Sequence, residues 1–325
     1  MKIYKCLLTA LLVCVVVCIS VLFISNKSDS EVKNQKIEVL SFANSVSIPE
    51  SVVFCGQKIS LDRIDMHERF DREINNFTYM HSSTMLIIKK ANRYFPIIEP
   101  ILKRNNIPDD FKYLAVIESN LNVRAISVAK AVGLWQFMSD TAKGYGLEVN
   151  DQVDERYHIE KSTEAACRYL KEAYSKYGNW VSAAASYNAG MGRISSELRN
   201  QMVDTSFDLL LVEETSRYVF RILAAKEIFT NPYKYGFALK KKDLYPMVRT
   251  KKVEVSYNIP DLAAFAQGNG ISYYQLKDFN VWLRDRGLTI STKNPKTYLL
   301  DIPIVDDLFY SKNKLNIHDS SWVID

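Results

Sequence analysis

Glu118 is the side chain in this sequence whose position packing explains least. The apolar positions around it are Phe111, Leu114, Ala115 and Leu121. With Glu118 they fall at i, i+3, i+4, i+7 and i+10, one face of an α-helix. A carboxylate thus stands where the pattern calls for an apolar group. Burying it ionised is costly unless it is paired, and the usual response is a raised pKa. A glutamic acid kept neutral near pH ~6–7 can protonate a leaving oxygen, such as that of a glycosidic bond, and later take a proton back. A plain structural role is also open to it: capping a neighbouring loop, or pairing with Arg124 or Arg193.

Other chemistries find less support. The four histidines, His67, His81, His158 and His318, are scattered without ligand spacing, so neither a metal site nor a cofactor is expected. Of five cysteines, Cys6, Cys14 and Cys18 lie in an apolar N-terminal run, and Cys55 and Cys167 are expected as free buried thiols. A net charge of +5, from 42 basic and 37 acidic residues, favours approach to an anionic polymer but lacks the basic footprint of a nucleic-acid binder.

The elements that must position Glu118 are mostly helices. Pro108-Asp109-Asp110 is a helix start, with proline early and acids at the positive end of the dipole. One further helix runs from Ser162 to Tyr177 with Ala166, Tyr169, Leu170, Ala173, Tyr174 and Tyr177 inward, and Gly178 stops it. A short helix spans Trp180 to Tyr187 and gives way to Asn188-Ala189-Gly190-Met191-Gly192, and another carries Glu214, Tyr218, Ile222, Leu223 and Ala225 and ends before Asn231-Pro232. Upstream, Val52-Val53-Phe54 reads as a short strand and residues 62–105 as helices, the second running towards Pro96. Downstream, a compact unit reads strand (Val253–Tyr257), two helices around a Gly268-Asn269-Gly270 turn, and strand (Tyr298–Ile302), with a loose tail after it.

The N-terminus carries Lys2 and Lys5 before an apolar run from Cys6 to Ile24, long enough to cross a ~30 Å hydrocarbon layer. An uncleaved membrane anchor with the body exported is the expectation. A cleaved signal would want a small-x-small site, and a lipoprotein a small residue before its cysteine, whereas Cys14 and Cys18 both follow valine.

Four segments then occur in order: Glu118-Ser119 followed by Ser127; Gly133-Leu134-Trp135-Gln136-Phe137-Met138; Ala185-Ser186-Tyr187-Asn188-Ala189-Gly190; and Glu214-Thr215-x-x-Tyr218-Val219. Together, over residues 105–235, they resemble the soluble-lytic-transglycosylase catalytic domain of the lysozyme superfamily, most closely the membrane-bound murein transglycosylases of D type. The resemblance implies a lysozyme-like helical fold, no cofactor, and peptidoglycan glycan strands as the partner. It implies that Glu118 is the catalytic acid/base, and that Ser127, Gln136, Met138, Tyr187, Asn188, Glu214 and Tyr218 line the substrate groove. Ser119, Gly133 and Gly190 have structural parts at the site, and Trp135 is expected in the core. His158 and Ser186 depart from the residues frequent at those places, asparagine and alanine. The C-terminal unit, through its β-α-α-β order and Gln275-Leu276-Lys277-Asp278-Phe279-Asn280, resembles a LysM peptidoglycan-binding repeat, with a structural cap as the other reading.

The family's reaction needs one carboxyl: it closes a 1,6-anhydro ring on the muramic sugar instead of adding water. Ordinary glycosidases need two carboxyls, and Asp140, Glu148, Asp151 and Asp154 stand in no motif that would place them opposite Glu118. A hydrolytic muramidase on the same fold and a non-catalytic peptidoglycan-binding protein are the alternatives. The expected organisation is an anchor at 1–25, a linker at 26–45, a helical extension at 46–105, the catalytic domain at 106–236, a basic linker at 237–252, a LysM-like module at 253–305 and a tail at 306–325. The fold class is mainly α, and the location the cell envelope.

Overall fold

In a computed structural model of the chain, residues 45–293 and 295–325 are described. The expected anchor at 1–25, and the 26–45 linker apart from Ser45, lie outside them. The first element is a tight antiparallel hairpin, β1 (Ser51–Phe54) and β2 (Gln57–Ser60), turned by Cys55 and Gly56 at positive φ. Two successive left-handed residues match the strand twist of such a turn. Val52, Phe54 and Ile59 point inward, and the Cys55 amide donates to Asp110 at 2.6 Å.

Two long helices follow, α1 (Ile64–Tyr79) and α2 (His81–Arg104). The second runs through Pro96 and Pro100 instead of ending near the first of them. Each proline leaves one carbonyl a turn earlier without its helical donor. The buried stripe Ile87, Ile88, Ala91, Phe95, Ile98, Ile101 and Leu102 continues past both and holds the helix together.

The body is completed by α3 (Lys112–Ser119), α4 (Ser139–Gly144), α5 (Ile159–Tyr177), α6 (Trp180–Ala189), α7 (Met191–Gln201) and α8 (Glu213–Thr230). Helix α8 is the hub. Its residues Tyr218–Phe220, Ile222–Ala225, Ile228 and Phe229 are all buried, and α1, α3 and α6 pack on it. Helix α6 is rich in small residues, and Ala183, Ala184 and Ala185 let it approach its neighbours closely. Tyr174 of α5, expected to face inward, is exposed and stacks on Trp180 at 4.0 Å between ring centres. Helix α7 was not foreseen.

The C-terminal unit has the expected order: β3 (Thr250–Val255), α9 (Leu262–Gly268), α10 (Tyr273–Phe279) and β4 (Tyr298–Pro303). The strands pair antiparallel from Thr250↔Pro303 to Val255↔Tyr298. The core of this unit takes in Val132, Val153 and Tyr157 from the body. Backbone bonds from Asp154 to Trp282 (2.9 Å) and from Arg284 to Gln152 (2.8 Å) fasten the two together. The segment expected to be a basic linker runs packed on the body, burying Phe237, Leu239 and Leu244. The tail, expected loose, returns to the body: Trp322 is buried and donates to the Phe229 carbonyl at 2.9 Å. Cys55 and Cys167 are free thiols. The described residues are mainly helical, with two two-stranded sheets.

Candidate active site

Helix α3 differs from the amphipathic helix read from its sequence. Tyr113, Leu114, Ala115, Val116 and Ile117 are all buried, so it runs through the interior with no polar face. It ends abruptly after Glu118 and Ser119. Asn120 and Leu121 both adopt left-handed φ, 51° and 52°, with no glycine. Each such residue costs on the order of 1 kcal/mol or more; burial of the Leu121 side chain holds the turn in place. The reversal means that no later turn of helix covers Glu118, which is left partly open to solvent. The carbonyls at the helix end are satisfied from outside, Ile117 by Arg221 at 2.8 Å and Asn120 by Lys90 at 3.1 Å. Ser119 turns its hydroxyl back to the Ala115 carbonyl at 3.1 Å.

The Glu118 carboxyl accepts a hydrogen bond from the hydroxyl of Tyr218, a fully buried residue of α8. Burial raises its pKa to about 7, against the Tyr218 hydrogen bond and the positive charge of Arg221, which lower it; the negative charge of Glu214 adds to the rise. At neutral pH the group is therefore divided between acid and base. The pairing with Arg124 allowed by the sequence does not form, because that guanidinium engages Asp278 at 2.8 Å.

Two further elements meet around this carboxyl. At the end of α6, Tyr187 donates to the Trp135 carbonyl at 2.9 Å. Burial drives its phenol pKa up, and the charge on Glu118 adds to that. Next to it, Asn188 accepts from Thr215 at 2.8 Å and reaches Glu214 at 3.4 Å, tying α6 to the start of α8. Gly190, at φ 83°, then separates α6 from α7 without a loop.

The second is the loop at residues 120–138. Gly133 sits at φ 80°, and a Cβ there would lie 2.1 Å from the Arg156 carbonyl oxygen, so only glycine fits. Trp135 is core, as expected, donating to Thr163 at 2.9 Å. Gln136 spends its amide nitrogen on the Gly133 carbonyl at 2.8 Å, and the Ser127 hydroxyl accepts from the Ala131 amide at 3.0 Å. Met138 is exposed. No bond among the described residues ties Ser127, Gln136 or Met138 to Glu118, whereas Tyr218 bonds it, Tyr187 and Glu214 couple to it through charge, and Asn188 is tied to Glu214.

The remaining acids are engaged or on the surface. Asp154 is clamped by Arg156 at 2.8 and 2.9 Å, and Glu148 bonds Lys296 and Tyr298. Asp140 and Asp151 are exposed. His158 stacks on Trp282 and burial lowers its pKa to about 3, so it stays neutral. Sequence reading missed Arg221, which both caps α3 and tunes Glu118. Its signal was available: it lies one turn after Tyr218, on the same side of α8.

Residues 95–207 match the transglycosylase SLT domain, and residues 251–306 match the soluble lytic transglycosylase C-terminal LysM-like domain. The membrane-bound lytic murein transglycosylase D of Escherichia coli K12 is 29% identical over 265 residues, covering 78% of this chain and 56% of that enzyme. The chain thus spans just over half the length of this curated relative. The solved 70 kDa soluble lytic transglycosylase SLT70 of Escherichia coli aligns over 44% of this chain and 24% of its own, at 25% identity and a TM-score of 0.37.

Proposed function

We propose that this chain, a homologue of the lytic murein transglycosylases with an SLT domain followed by a LysM-like domain, cuts the glycan strands of peptidoglycan. The bond broken is the β-1,4 link between N-acetylmuramic acid and N-acetylglucosamine, and Glu118 is the acid/base catalyst. The observation that carries this reading is a carboxyl with a pKa of about 7, partly open to solvent and held by Tyr218. In its acid form Glu118 protonates the glycosidic oxygen, and the bond breaks with an oxocarbenium-like centre at C1 of the muramic residue. The substrate's own acetamido group stabilises that centre. Now a base, Glu118 takes the proton of the C6 hydroxyl, whose oxygen closes on C1 to give the 1,6-anhydro ring. Both reacting atoms belong to one sugar, so closure gains from proximity.

Tyr218 positions the carboxyl, and Tyr187, Asn188 and Glu214 border the sugar beside it. Ser127, Gln136 and Met138 line the groove further along. The LysM-like unit keeps the enzyme on its polymer by raising effective concentration. The location is the cell envelope, with the N-terminal apolar run as membrane anchor. Digestion of purified peptidoglycan followed by mass spectrometry tests the reaction. Anhydro-muropeptides, one water lighter than reducing ends, are expected, and Glu118→Gln abolishes their release. Reducing ends alone would assign a hydrolase, and unchanged turnover in the Gln variant would remove Glu118 from the chemistry.

A further inference from the structure

The loop at residues 120–138, which carries Ser127, Gln136 and Met138, contains two residues that strain its backbone. Lys130 and Gln136 take left-handed φ, 65° and 48°, without being glycine. Such residues persist only where the surroundings over-determine them. Much of that surrounding structure is the C-terminal unit or is fastened to it. Val132 of the loop is buried in the core of that unit. Arg124 donates to Asp278 of α10 at 2.8 Å.

A third tie runs through the segment 152–156. The C-terminal unit holds its backbone: Leu283 bridges Val153, and the Trp282 carbonyl accepts from the Asp154 amide at 2.9 Å. Gln152 accepts from the Arg284 and Thr289 amides at 2.8 and 3.1 Å. Arg156 donates to both carboxylate oxygens of the Asp154 so fixed, at 2.8 and 2.9 Å. The same guanidinium donates to the carbonyls of Lys130 and Phe137, each at 3.2 Å. One of these carbonyls belongs to a strained residue, and the other to the residue after Gln136. Arg156 is buried, where such bonds are stronger than in water. Its own carbonyl abuts Gly133 and closes the loop from the backbone side.

We propose that the LysM-like unit shapes the substrate groove, holding the 120–138 loop through Arg156 as a positioning residue, in addition to any hold it has on the polymer. That this loop is a groove wall rests on the transglycosylase reading. Tethering alone asks nothing of the contacts at 152–156, since a flexible join would serve it as well.

Wild type, Arg156→Lys, Asp278→Arg and the charge-swapped pair Arg124→Asp with Asp278→Arg are compared on a tetrasaccharide of alternating N-acetylglucosamine and N-acetylmuramic acid, too short to gain from a second contact. Lysine keeps a charge beside Asp154 but cannot reach that carboxylate and two carbonyls at once. Arg156→Lys is expected to raise KM about tenfold with kcat within about twofold. The alkaline limb of its pH profile stays in place, since Glu118 is untouched. Asp278→Arg is expected to raise KM about threefold, and the swapped pair to restore it. In both single variants the Ser127, Val132 and Phe137 amides, each bonded within the loop, exchange faster with deuterium, measured without substrate. The Asp278 series decides the matter if Arg156→Lys does not fold. Unchanged KM and exchange, a loss confined to polymeric peptidoglycan, or a swapped pair no better than Asp278→Arg overturns the positioning role. A wild type that releases no anhydro product from tetrasaccharide or polymer overturns the functional reading itself, and the exchange data then judge the hold on the loop alone.

Discussion

Replacing Glu118 by Gln should make the protein more stable above neutrality while destroying its activity. The carboxyl has an ordinary pKa of 4.5 and a folded-state value of about 7, raised chiefly by burial. A group with a raised folded pKa favours the fold while it stays protonated, and that contribution is lost as pH climbs from the unfolded value through the folded one. Below pH ~4 both states hold the proton and no penalty exists. Between about 4.5 and 7 the unfolded chain ionises and the folded one resists, so the native state loses ground; above pH ~8 the loss is complete. At ~1.4 kcal/mol per pH unit the interval is worth about 3 kcal/mol. The carboxyl is partly open to solvent, and screening brings the expectation to roughly 1–3 kcal/mol. Gln cannot ionise and keeps the shape. Thermal melts of the wild type and Glu118→Gln, from pH ~4 to ~8.5, should therefore start close together and separate, with the variant several degrees higher at the alkaline end. A melting difference that ignores pH, or a variant less stable than wild type at high pH, would refute the reasoning.

Tyr218→Phe removes the hydrogen bond that holds Glu118 in its ionised form, so the carboxyl pKa must rise further. Because the proposed first step needs the acid, the alkaline limb of the kcat/KM profile should move up by about one pH unit, while the maximal rate falls with the lost positioning; a limb that stays in place or moves down would contradict this. Gly133→Ala would drive a methyl into the Arg156 carbonyl at a φ that disfavours side chains. A loss of more than about 3 kcal/mol, read by denaturant unfolding, is expected.

Part of the candidate site was legible in the motifs: Glu118, Tyr187 and Glu214 stand at the ends of α3, α6 and α8, whereas Ser127, Gln136 and Met138 lie in a loop whose bonds are local. Glu118 and Tyr218 lie 100 residues apart in sequence, and only the packing of α3 on α8 brings them together. Three features resisted reading. Helix α3 is buried over the whole of Tyr113–Ile117, so the single face read from Phe111, Leu114, Ala115 and Leu121 captured only part of its buried surface. Helix α2 passes two prolines because its long apolar stripe outweighs two lost backbone bonds, a tertiary effect invisible locally. Arg221 acts through a carbonyl and a field, not a motif, so only its place one turn from Tyr218 pointed to it. The basic stretch before β3 misled for a related reason: Lys240, Lys241 and Lys242 are exposed, but Leu239 and Leu244 on either side of them are buried anchors.

The protonation of Glu118 can be watched directly by isotope-edited infrared titration, taking the difference between the wild type and Glu118→Gln. The carbonyl band of a neutral carboxylic acid should persist through mild acid and be half gone near pH 7. A band already lost by about pH 5, as for an ordinary surface glutamate, would mean that the carboxyl is ionised under working conditions and cannot serve as the acid.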